Sequence, residues 1–158
     1  MNEILLRKAQ REDIPGILAM IRELATYERA PEEVTITQED LEKDGFGQHP
    51  VFEVILAEKN GSLLGMSFYY FSYSTWKGKA LYLEDIVVRE QFRGMGIGKI
   101  LMDATIHRAA EINAKRMHWQ VLEWNEPAIN FYKKYNAQID PEWVNCRLKE
   151  EQIKRFRS

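Results

Sequence analysis

The chain has 158 residues, a length typical of one domain, and 45% of them are hydrophobic while 29% are charged, which excludes a disordered or fibrous protein. The formal net charge of −2 argues against a nucleic-acid-binding surface, because phosphate binding needs a clear excess of basic residues. The N-terminal residues are too polar for a secretory signal and no uncharged run reaches roughly 18 residues, so we expect no membrane partner and a cytoplasmic location.

The first quarter of the chain predicts a strand and two helices. Residues 4–7 read as a short strand, and apolar residues then recur every three or four positions from Ile14 to Ala25. This spacing predicts an amphipathic helix that ends near Tyr27. Thr37, followed three residues later by Asp40, resembles a capping box, and we expect a short helix that Gly45 ends.

The middle of the chain predicts a hairpin followed by a strand and a helix. Residues 51–58 and 62–73 are rich in β-branched and aromatic residues, and Asn60-Gly61 between them is a strong hairpin signal. Residues 81–88 predict another strand, and the apolar stripe within residues 98–113 predicts a helix.

The last third of the chain predicts a strand over residues 117–122, a helix from Pro127 to about Tyr135, and a weaker strand over residues 143–148. Asn136 is suited to be the left-handed cap of that helix. The chain contains no repeat or linker, so we expect a single α+β domain over residues 1–158. Its mixed, mostly antiparallel central sheet is flanked by helices and contains one parallel crossover.

Three alternate glycines separate the strand of residues 81–88 from the helix that follows. A backbone without Cβ atoms can turn its N–H groups around an anion, and the helix dipole adds about half a positive charge at that end. Two nucleotide-binding motifs are excluded, because Lys99 stands where the dinucleotide fingerprint needs glycine and Ile100 where the P-loop needs serine or threonine. The glycines alone leave two alternatives, a phosphate cradle or a tight turn without a ligand.

The strand of residues 81–88 is apolar on both faces but contains the adjacent carboxylates Glu84 and Asp85. Strand alternation predicts that the two side chains point to opposite faces of the sheet. Because a buried unpaired charge is costly, at least one carboxylate should face a polar cleft. The alternative is a structural ion pair or an exposed strand end.

Several blocks of this sequence together resemble the GNAT superfamily of N-acetyltransferases. Arg93-x-x-Gly96-x-Gly98 is similar to the pyrophosphate-binding motif of that superfamily. Further blocks resemble the diamine (spermidine/spermine) N-acetyltransferases and their thialysine-acetylating relatives: Leu24-Ala25-x-Tyr27-Glu28, Asp44-Gly45-Phe46-Gly47, Tyr69-Tyr70-Phe71, Ser74-Thr75-Trp76-Lys77-Gly78, Tyr82-Leu83-Glu84-Asp85 and Trp124-Asn125-Glu126-Pro127. The matches span residues 4–135, whereas the last 20 or so residues depart from the pattern.

The resemblance implies that acetyl-CoA is the cosubstrate and that three segments bind it. The first segment is a strand edge that pairs with the pantetheine amides, the second is the glycine loop, and the third is the start of the helix after Trp124. Their residues are Ile86, Val87, Val88, Arg93, Gly94, Met95, Gly96, Ile97, Gly98, Lys99, Asn125, Glu126, Pro127 and Ala128.

The resemblance also implies two catalytic residues. Glu84 occupies the position of the general base, which accepts the proton of the substrate ammonium directly or through water, and Asp85 is the second choice for that role. Tyr132 occupies the position of the general acid, which protonates the departing sulfur. Without the resemblance, Tyr132 reads as a packed aromatic beside Phe131.

The amine substrate is implied to lie among acidic and aromatic residues. These are Tyr27, Glu28, Glu84, His118, Trp119 and Gln120. Glu32 and Glu33 add to the acidic character but read equally as a solvated face.

The only cysteine, Cys146, is a candidate acetyl carrier, but a lone cysteine in a predicted strand is more often inert packing, so we favour direct transfer. His49, His107 and His118 lack the spacing of a metal site, and we expect no metal.

Three functions remain open at this point. The favoured one is acetyl transfer from acetyl-CoA to a primary amine of a small di- or polyamine or of a lysine-like molecule such as thialysine. The others are acetylation of a protein N-terminus or lysine, and non-catalytic binding of acyl-CoA. The resemblance further implies a homodimer.

Overall fold

The computed structural model describes residues 3–157, so residues 1, 2 and 158, which the N-terminal and domain predictions include, lie outside the described part. The described chain divides into two compact units with the boundary after Gln120. The elements of the first unit are β1 (Leu5–Lys8), α1 (Ile14–Tyr27), α2 (Gln38–Phe46), β2 (Glu53–Lys59), β3 (Ser62–Ser74), β4 (Gly78–Val88), α3 (Ile97–Glu111) and β5 (Arg116–His118).

The sheet of the first unit contains the five strands in sequence order, β1-β2-β3-β4-β5. The first three neighbouring pairs are antiparallel, and β4 and β5 are parallel because α3 connects them. The predicted α+β class with a mixed, mostly antiparallel sheet is therefore confirmed, as is the parallel crossover. Asn60 and Gly61 form the predicted turn between β2 and β3, both with positive φ (52° and 76°).

One face of the sheet packs against α1 and α2. The apolar stripe of α1 lies against side chains of β2, β3 and β4, and Leu41 adds α2 to the same cluster. Its buried members are Ile14, Ile17, Leu18, Met20, Leu41, Val54, Leu56, Met66 and Val87. Each fully buried side chain of this kind contributes about 1.5–3 kcal/mol to folding.

The opposite face packs against α3 and contains a buried polar network. The Thr105 hydroxyl donates to the Leu101 carbonyl (2.8 Å), and the Ser67 and Thr105 hydroxyls lie 2.6 Å apart. Nearby, Arg108 donates to both carboxylate oxygens of Glu53 (3.0 and 2.9 Å), and the buried Tyr69 phenol donates to Glu53 (2.8 Å). These bonds fix α3, and therefore the loop at its N-terminus, against β2 and β3.

The predicted capping box of α2 is present, but the helix extends past its predicted end at Gly45. Thr37 Oγ1 accepts from the Asp40 N–H (3.1 Å), and Asp40 accepts in return from the Thr37 N–H (2.8 Å). The helix continues through Gly45 to Phe46. Gly45 serves packing instead, because a Cβ there would lie 2.2 Å from the Phe52 ring.

The second unit contains α4 (Glu126–Lys133) and a short helix α5 (Glu150–Lys154). The predicted left-handed conformation of Asn136 is confirmed by its φ of +55°, but α4 ends at Lys133, before the predicted end near Tyr135, and its C-cap is Lys134. The strand predicted over residues 143–148 is wrong, because these residues are exposed and irregular, and α5 was not predicted. The strand predicted over residues 117–122 is shorter, since β5 ends at His118.

The helices within residues 3–157 are short or carry charged residues. None of the helices there combines the length and the apolar character that crossing a bilayer requires.

The Glu53 network generates a stability prediction. Hydrogen bonds from Arg108, above all, hold the pKa of Glu53 below its usual range despite partial burial, so its contribution is present above the unfolded-state pKa of about 4.3 and is lost as the pH falls through the folded-state value. Glu53→Gln should lower the free energy of unfolding by about 1–3 kcal/mol at pH 7, and the difference should shrink at pH 3. Urea denaturation at both pH values measures this.

Glu42→Gln is the matched control, since Glu42 forms an exposed ion pair with Arg11 (2.7 Å) and should change stability by less than about 1 kcal/mol. Equal losses in the two variants at pH 7 would contradict the role assigned to Glu53.

Candidate functional site

A β-bulge interrupts the pairing of β3 with β4 at Glu84. Phe68 lies opposite Asp85 and Tyr69 lies opposite Leu83, so Glu84 is an extra residue with no partner position on β3. A bulge of this kind locally breaks the strict alternation of side chains and frequently occurs beside active sites.

The bulge overturns the prediction that Glu84 and Asp85 point to opposite faces of the sheet. Asp85 shares its face with Phe68, and that face also carries Tyr70 and Tyr82, which are paired on the other side of the bulge. Glu84 and Asp85 line the same pocket. A sequence pattern could not reveal this, because the extra residue shows only in the register between two strands.

The pocket has a volume of about 410 Å³ and lies on the α1 side of the sheet. Apart from the two carboxylates, its walls are apolar or aromatic. The remaining lining residues are Ile21, Ile36, Val51, Phe52, Phe68 and Tyr70. Sequence reasoning missed these residues as site components, although alternate aromatic positions in β3, Phe68 and Tyr70, carried a signal.

Three carboxylates make the pocket region electronegative. Burial raises the pKa of Asp85 to about 7, with further contributions from the charges of Glu84 and Glu28. Burial also raises the pKa values of Glu84 and Glu28. Within residues 3–157, neither Glu84 nor Asp85 forms an ion pair or a hydrogen bond through its carboxylate, so the structural ion pair considered as an alternative is absent. Carboxylates in such surroundings favour a cationic ligand.

Aromatic rings continue from these carboxylates across the sheet. Tyr70 and Tyr82 have ring centroids 5.0 Å apart, and His118 packs edge-on against Tyr82 at 4.8 Å. Ser72 Oγ and His118 Nε2 lie 3.1 Å apart. Burial, then the nearby charge of Arg116, lowers the pKa of His118, which favours the neutral imidazole.

The other predicted substrate residues belong to two segments of the first unit. Tyr27 ends α1 and Glu28 is its C-cap, whereas Trp119 and Gln120 follow β5 in irregular chain. Glu28 lies close enough for its charge to raise the pKa of Asp85, after the larger effect of burial. The His118 ring packs against Tyr82. Of the predicted substrate residues, Glu84 lines the pocket, whereas Tyr27, Glu28, His118, Trp119 and Gln120 do not.

The glycine loop has the backbone conformation of an anion cradle. Gly94 and Gly96 have positive φ values of 78° and 77°, and Gly96 is the N-cap of α3. A Cβ at either position would meet no described atom within 4 Å, so both glycines face open space. The head of a 15-residue helix beside this space suits a diphosphate.

The side chains of the loop contribute unequally. Arg93 donates to the Val88 carbonyl (3.2 Å), and its guanidinium lies 5.1 Å from the centre of the Tyr27 ring. Lys99 forms an ion pair with Asp103 one turn later. Met95 is exposed, whereas the Ile97 side chain is buried in the core, so only the backbone of Ile97 can contribute to a cradle.

Part of the β4 edge lacks a neighbouring strand. β5 pairs with β4 only at Ala80, Leu81 and Tyr82. From Leu83 to Val88 this edge has no strand partner in the described part of the chain, and Ile86, Val87 and Val88 lie on it. Such an edge can accept an extended ligand that carries amide groups.

In the second unit, α4 carries the remaining predicted residues. Asn125 caps the helix through a bond from the Ala128 N–H (3.3 Å), with Glu126 and Pro127 in the first turn. Tyr132 is 8% exposed, and its ring packs edge-on against Phe131 at 5.5 Å. The packing role weighed for Tyr132 is therefore present.

Cys146 is exposed rather than packed in a strand, because its predicted strand is absent. No group of three or more His, Cys, Asp or Glu side chains among residues 3–157 could hold a metal ion.

Comparison with known proteins identifies related chains. The sequence model of the acetyltransferase (GNAT) family matches residues 17–137. The thialysine N-epsilon-acetyltransferase of Mus musculus is 39% identical, over 98% of this chain and 97% of its own length. A spermidine/spermine N(1)-acetyltransferase-like protein 1 of Homo sapiens is 38% identical over 97% of this chain, which spans only 24% of that longer protein.

Among solved structures, an aminoglycoside N-acetyltransferase in complex with CoA has a TM-score of 0.76. It is 14% identical, with 94% of this chain and 97% of that chain covered. At this identity the likeness concerns the fold.

The raised pKa of Asp85 predicts an unusual pH dependence of stability. Between the unfolded-state pKa of about 3.9 and the folded-state value of about 7, the native chain holds a proton that the unfolded chain has lost, so ionisation at higher pH destabilises the native state. Asp85→Asn should therefore raise the free energy of unfolding by roughly 2–4 kcal/mol at pH 8 and change it little at pH 4. Denaturant titrations at the two pH values measure this difference. A variant less stable than the wild type at pH 8 would contradict the prediction.

Proposed function

The chain belongs to the acetyltransferase (GNAT) family and is an acetyl-CoA-dependent N-acetyltransferase, and we propose that it transfers the acetyl group directly to a primary amine of a small di- or polyamine or of a lysine-like amine such as thialysine. The observation that carries this proposal is the pocket that pairs apolar walls with two carboxylates for which residues 3–157 supply no cation. An alkyl chain with ammonium groups complements both features.

Glu84 is the general base of this proposal. An alkylammonium with a pKa of about 10.4 must lose a proton before it attacks a thioester, which costs about 4.6 kcal/mol at pH 7. Burial raises the pKa of Glu84, and a more basic carboxylate is a better matched proton acceptor. Because the Glu84 side chain is only partly buried on the bulge, it remains open to the amine and to water.

Tyr132 is the general acid. A tyrosine phenol carries an O–H donor that can protonate the departing sulfur. Its burial on α4 keeps water away from the ring, and its contact with Phe131 restricts the ring orientation.

Acetyl-CoA supplies the activated acetyl group, and the residues of this chain fit its diphosphate and pantetheine arm. The open space at Gly94 and Gly96 and the helix head after them suit the diphosphate, with Arg93 as a cation. The unpartnered β4 edge at Ile86, Val87 and Val88 suits the pantetheine amides. Asn125, Glu126, Pro127 and Ala128 are proposed to complete this half of the site.

The amine half is proposed to include Tyr27, Glu28, His118, Trp119 and Gln120 beside Glu84. Glu28 supports this assignment most directly, because its charge raises the pKa of Asp85 in the pocket. The lowered pKa of His118 favours its neutral form, which does not repel a cationic amine.

The domain organisation, location, oligomeric state and partners of the chain are proposed from its resemblance to the family and from its charge. We propose that residues 1–158 form one functional domain that acts as a cytoplasmic homodimer, without nucleic acid, membrane or metal partners. The exposed apolar side chains near the C-terminus, including Trp143, Val144 and Phe156, support a protein contact there.

A substrate panel tests the proposal. Acetyl-CoA and the purified chain should release free thiol with at least one of putrescine, spermidine, spermine, thialysine and lysine, because the pocket suits cationic alkyl chains. Peptides with free N-termini or lysines should react more slowly. Silence with every small amine would refute the proposal, and preference for peptides would favour protein acetylation.

Replacement of the proposed base should slow the reaction most near neutral pH. Glu84→Gln should lower kcat/KM roughly 100-fold at pH 7, the usual size of a general-base contribution. The control is Glu12→Gln, an exposed residue before α1 that changes the net charge equally. Equal rates in the two variants would remove Glu84 from its role.

Replacement of the proposed acid should separate turnover from binding. Tyr132→Phe should lower kcat roughly tenfold or more while the Kd for acetyl-CoA stays within about twofold, since the phenol acts on the leaving sulfur. Tyr135→Phe, whose ring also packs on Phe131, is the control. A large loss of acetyl-CoA affinity in Tyr132→Phe would contradict the assignment.

A matched pair of glycine variants tests the cradle. Gly96→Ala places a methyl group in the open space and should weaken acetyl-CoA binding roughly tenfold or more, as calorimetry would measure. Gly61→Ala has nearly the same backbone strain (φ 76°) and also meets no described atom, but it lies in the β2–β3 turn. If both variants bind acetyl-CoA like the wild type, the cradle is not the diphosphate site.

A further inference from the structure

Asp85 has no role in the acetyl transfer described so far, although the bulge places it in the same pocket as Glu84. Regular alternation would have put it on the α3 face of the sheet, where Ser67 and Tyr69 lie. Instead it shares the α1 face with Phe68 and Tyr70. The extra residue in β4 thus places the side chains of two adjacent acidic residues in one pocket.

The surroundings of the two carboxylates contain acids and neutral rings. The end of α1 presents Glu28, β3 presents Tyr70, β4 itself presents Tyr82, and β5 presents His118 against Tyr82. Among the described residues that line the pocket, none is lysine, arginine or histidine. Asp85 therefore experiences the charges of Glu84 and Glu28 with little compensation.

The two carboxylates also differ in exposure. Glu84, the bulge residue, is exposed, whereas Asp85 is half-buried beside Phe68. An outer and an inner carboxylate in one pocket suit different tasks, since only the outer one is freely open to an entering amine.

We propose that Asp85 is a positioning residue, whose negative charge beside Glu84 raises the proton affinity of the ionised pair and thereby enables Glu84 to accept the proton of the substrate ammonium near neutral pH. The inference rests on the proposed amine acetylation. In the step, an N–H bond of the ammonium breaks, its electron pair becomes the nitrogen lone pair, and the proton joins a carboxylate oxygen of the pair. The pair later releases that proton to water.

The charge state of Asp85 is consistent with this role. Burial first, then Glu84 and Glu28, raise its pKa to about 7, so the pair gains or loses a proton in the range where the reaction would run. Interacting carboxylates titrate in two steps that belong to the pair rather than to either residue.

The pH dependence of kcat/KM with acetyl-CoA and one fixed diamine tests the proposal. A like charge raises a carboxyl pKa, so Asp85→Asn should lower the pKa of Glu84 and move the acidic limb of the profile down by about one pH unit or more. Asp85→Glu restores the charge and should return the limb towards the wild-type position. Glu12→Gln, with the same change in net charge, should leave it unmoved.

A uniform loss of kcat/KM in Asp85→Asn with an unmoved acidic limb would overturn the proposal, because a purely structural role predicts that result. If Asp85→Asn does not fold, the wild-type protein decides. Carbon NMR of the side-chain carboxyls should show a two-step titration for Glu84 or Asp85 with one step near neutral pH. Single steps near pH 4 for both residues would overturn the proposal.

These outcomes separate the inference from the proposed function. If no amine is acetylated, the proposed function fails, while the carboxyl titration still decides whether Glu84 and Asp85 form a pair. If amines are acetylated and the limb stays in place, only the inference fails.

Discussion

The site depends on one irregularity, the extra residue at Glu84 in β4. In a regular pairing that continued from Leu83, Glu84 would lie opposite Phe68 and Asp85 would face α3, so the pocket under α1 would contain one carboxylate. With the extra residue, two acids occupy an apolar pocket in which the described chain provides no cation. Burial of charge without a partner is unfavourable, so this arrangement weakens the native state and makes a cationic ligand more favourable. The bulge thus accounts for the positions of both the proposed base, Glu84, and its neighbour, Asp85.

The remainder of the first unit stabilises that arrangement. α1 and α2 cover one face of the sheet with apolar side chains, and α3 is fixed on the other face by Ser67–Thr105 and by the Glu53–Arg108–Tyr69 network. In the same unit, Arg93 connects the glycine loop to β4 through Val88 and to α1 through Tyr27. The loop that suits a diphosphate and the helix that borders the pocket of Glu84 and Asp85 are thus in contact, as the proposed two-substrate site requires.

Local signals predicted much of the fold, because the physics that they report is local. Asn60-Gly61 marks its turn through left-handed backbone conformation, and Thr37 with Asp40 caps α2 through bonds over three residues. The bulge at Glu84 escaped prediction because it is a property of the register between β3 and β4. Residues 143–148 have the composition of a strand, but a strand needs a neighbour to pair with, and composition does not reveal whether one exists. For the candidate site, motifs predicted the glycine loop and Glu84, whereas the apolar lining by Ile36 and Val51 depends on tertiary packing that no motif reports.

The most direct test of the bulge as the origin of the site is a diamine titration of the carboxyl-labelled protein, followed by carbon NMR with 1,4-diaminobutane as the probe. If both acids share the amine pocket, the side-chain carboxyl signals of Glu84 and Asp85 should shift together with one apparent Kd, while that of the network residue Glu53 stays in place. A shift of Glu84 alone, with Asp85 unchanged at saturation, would show that the two acids do not serve one pocket and would contradict the account.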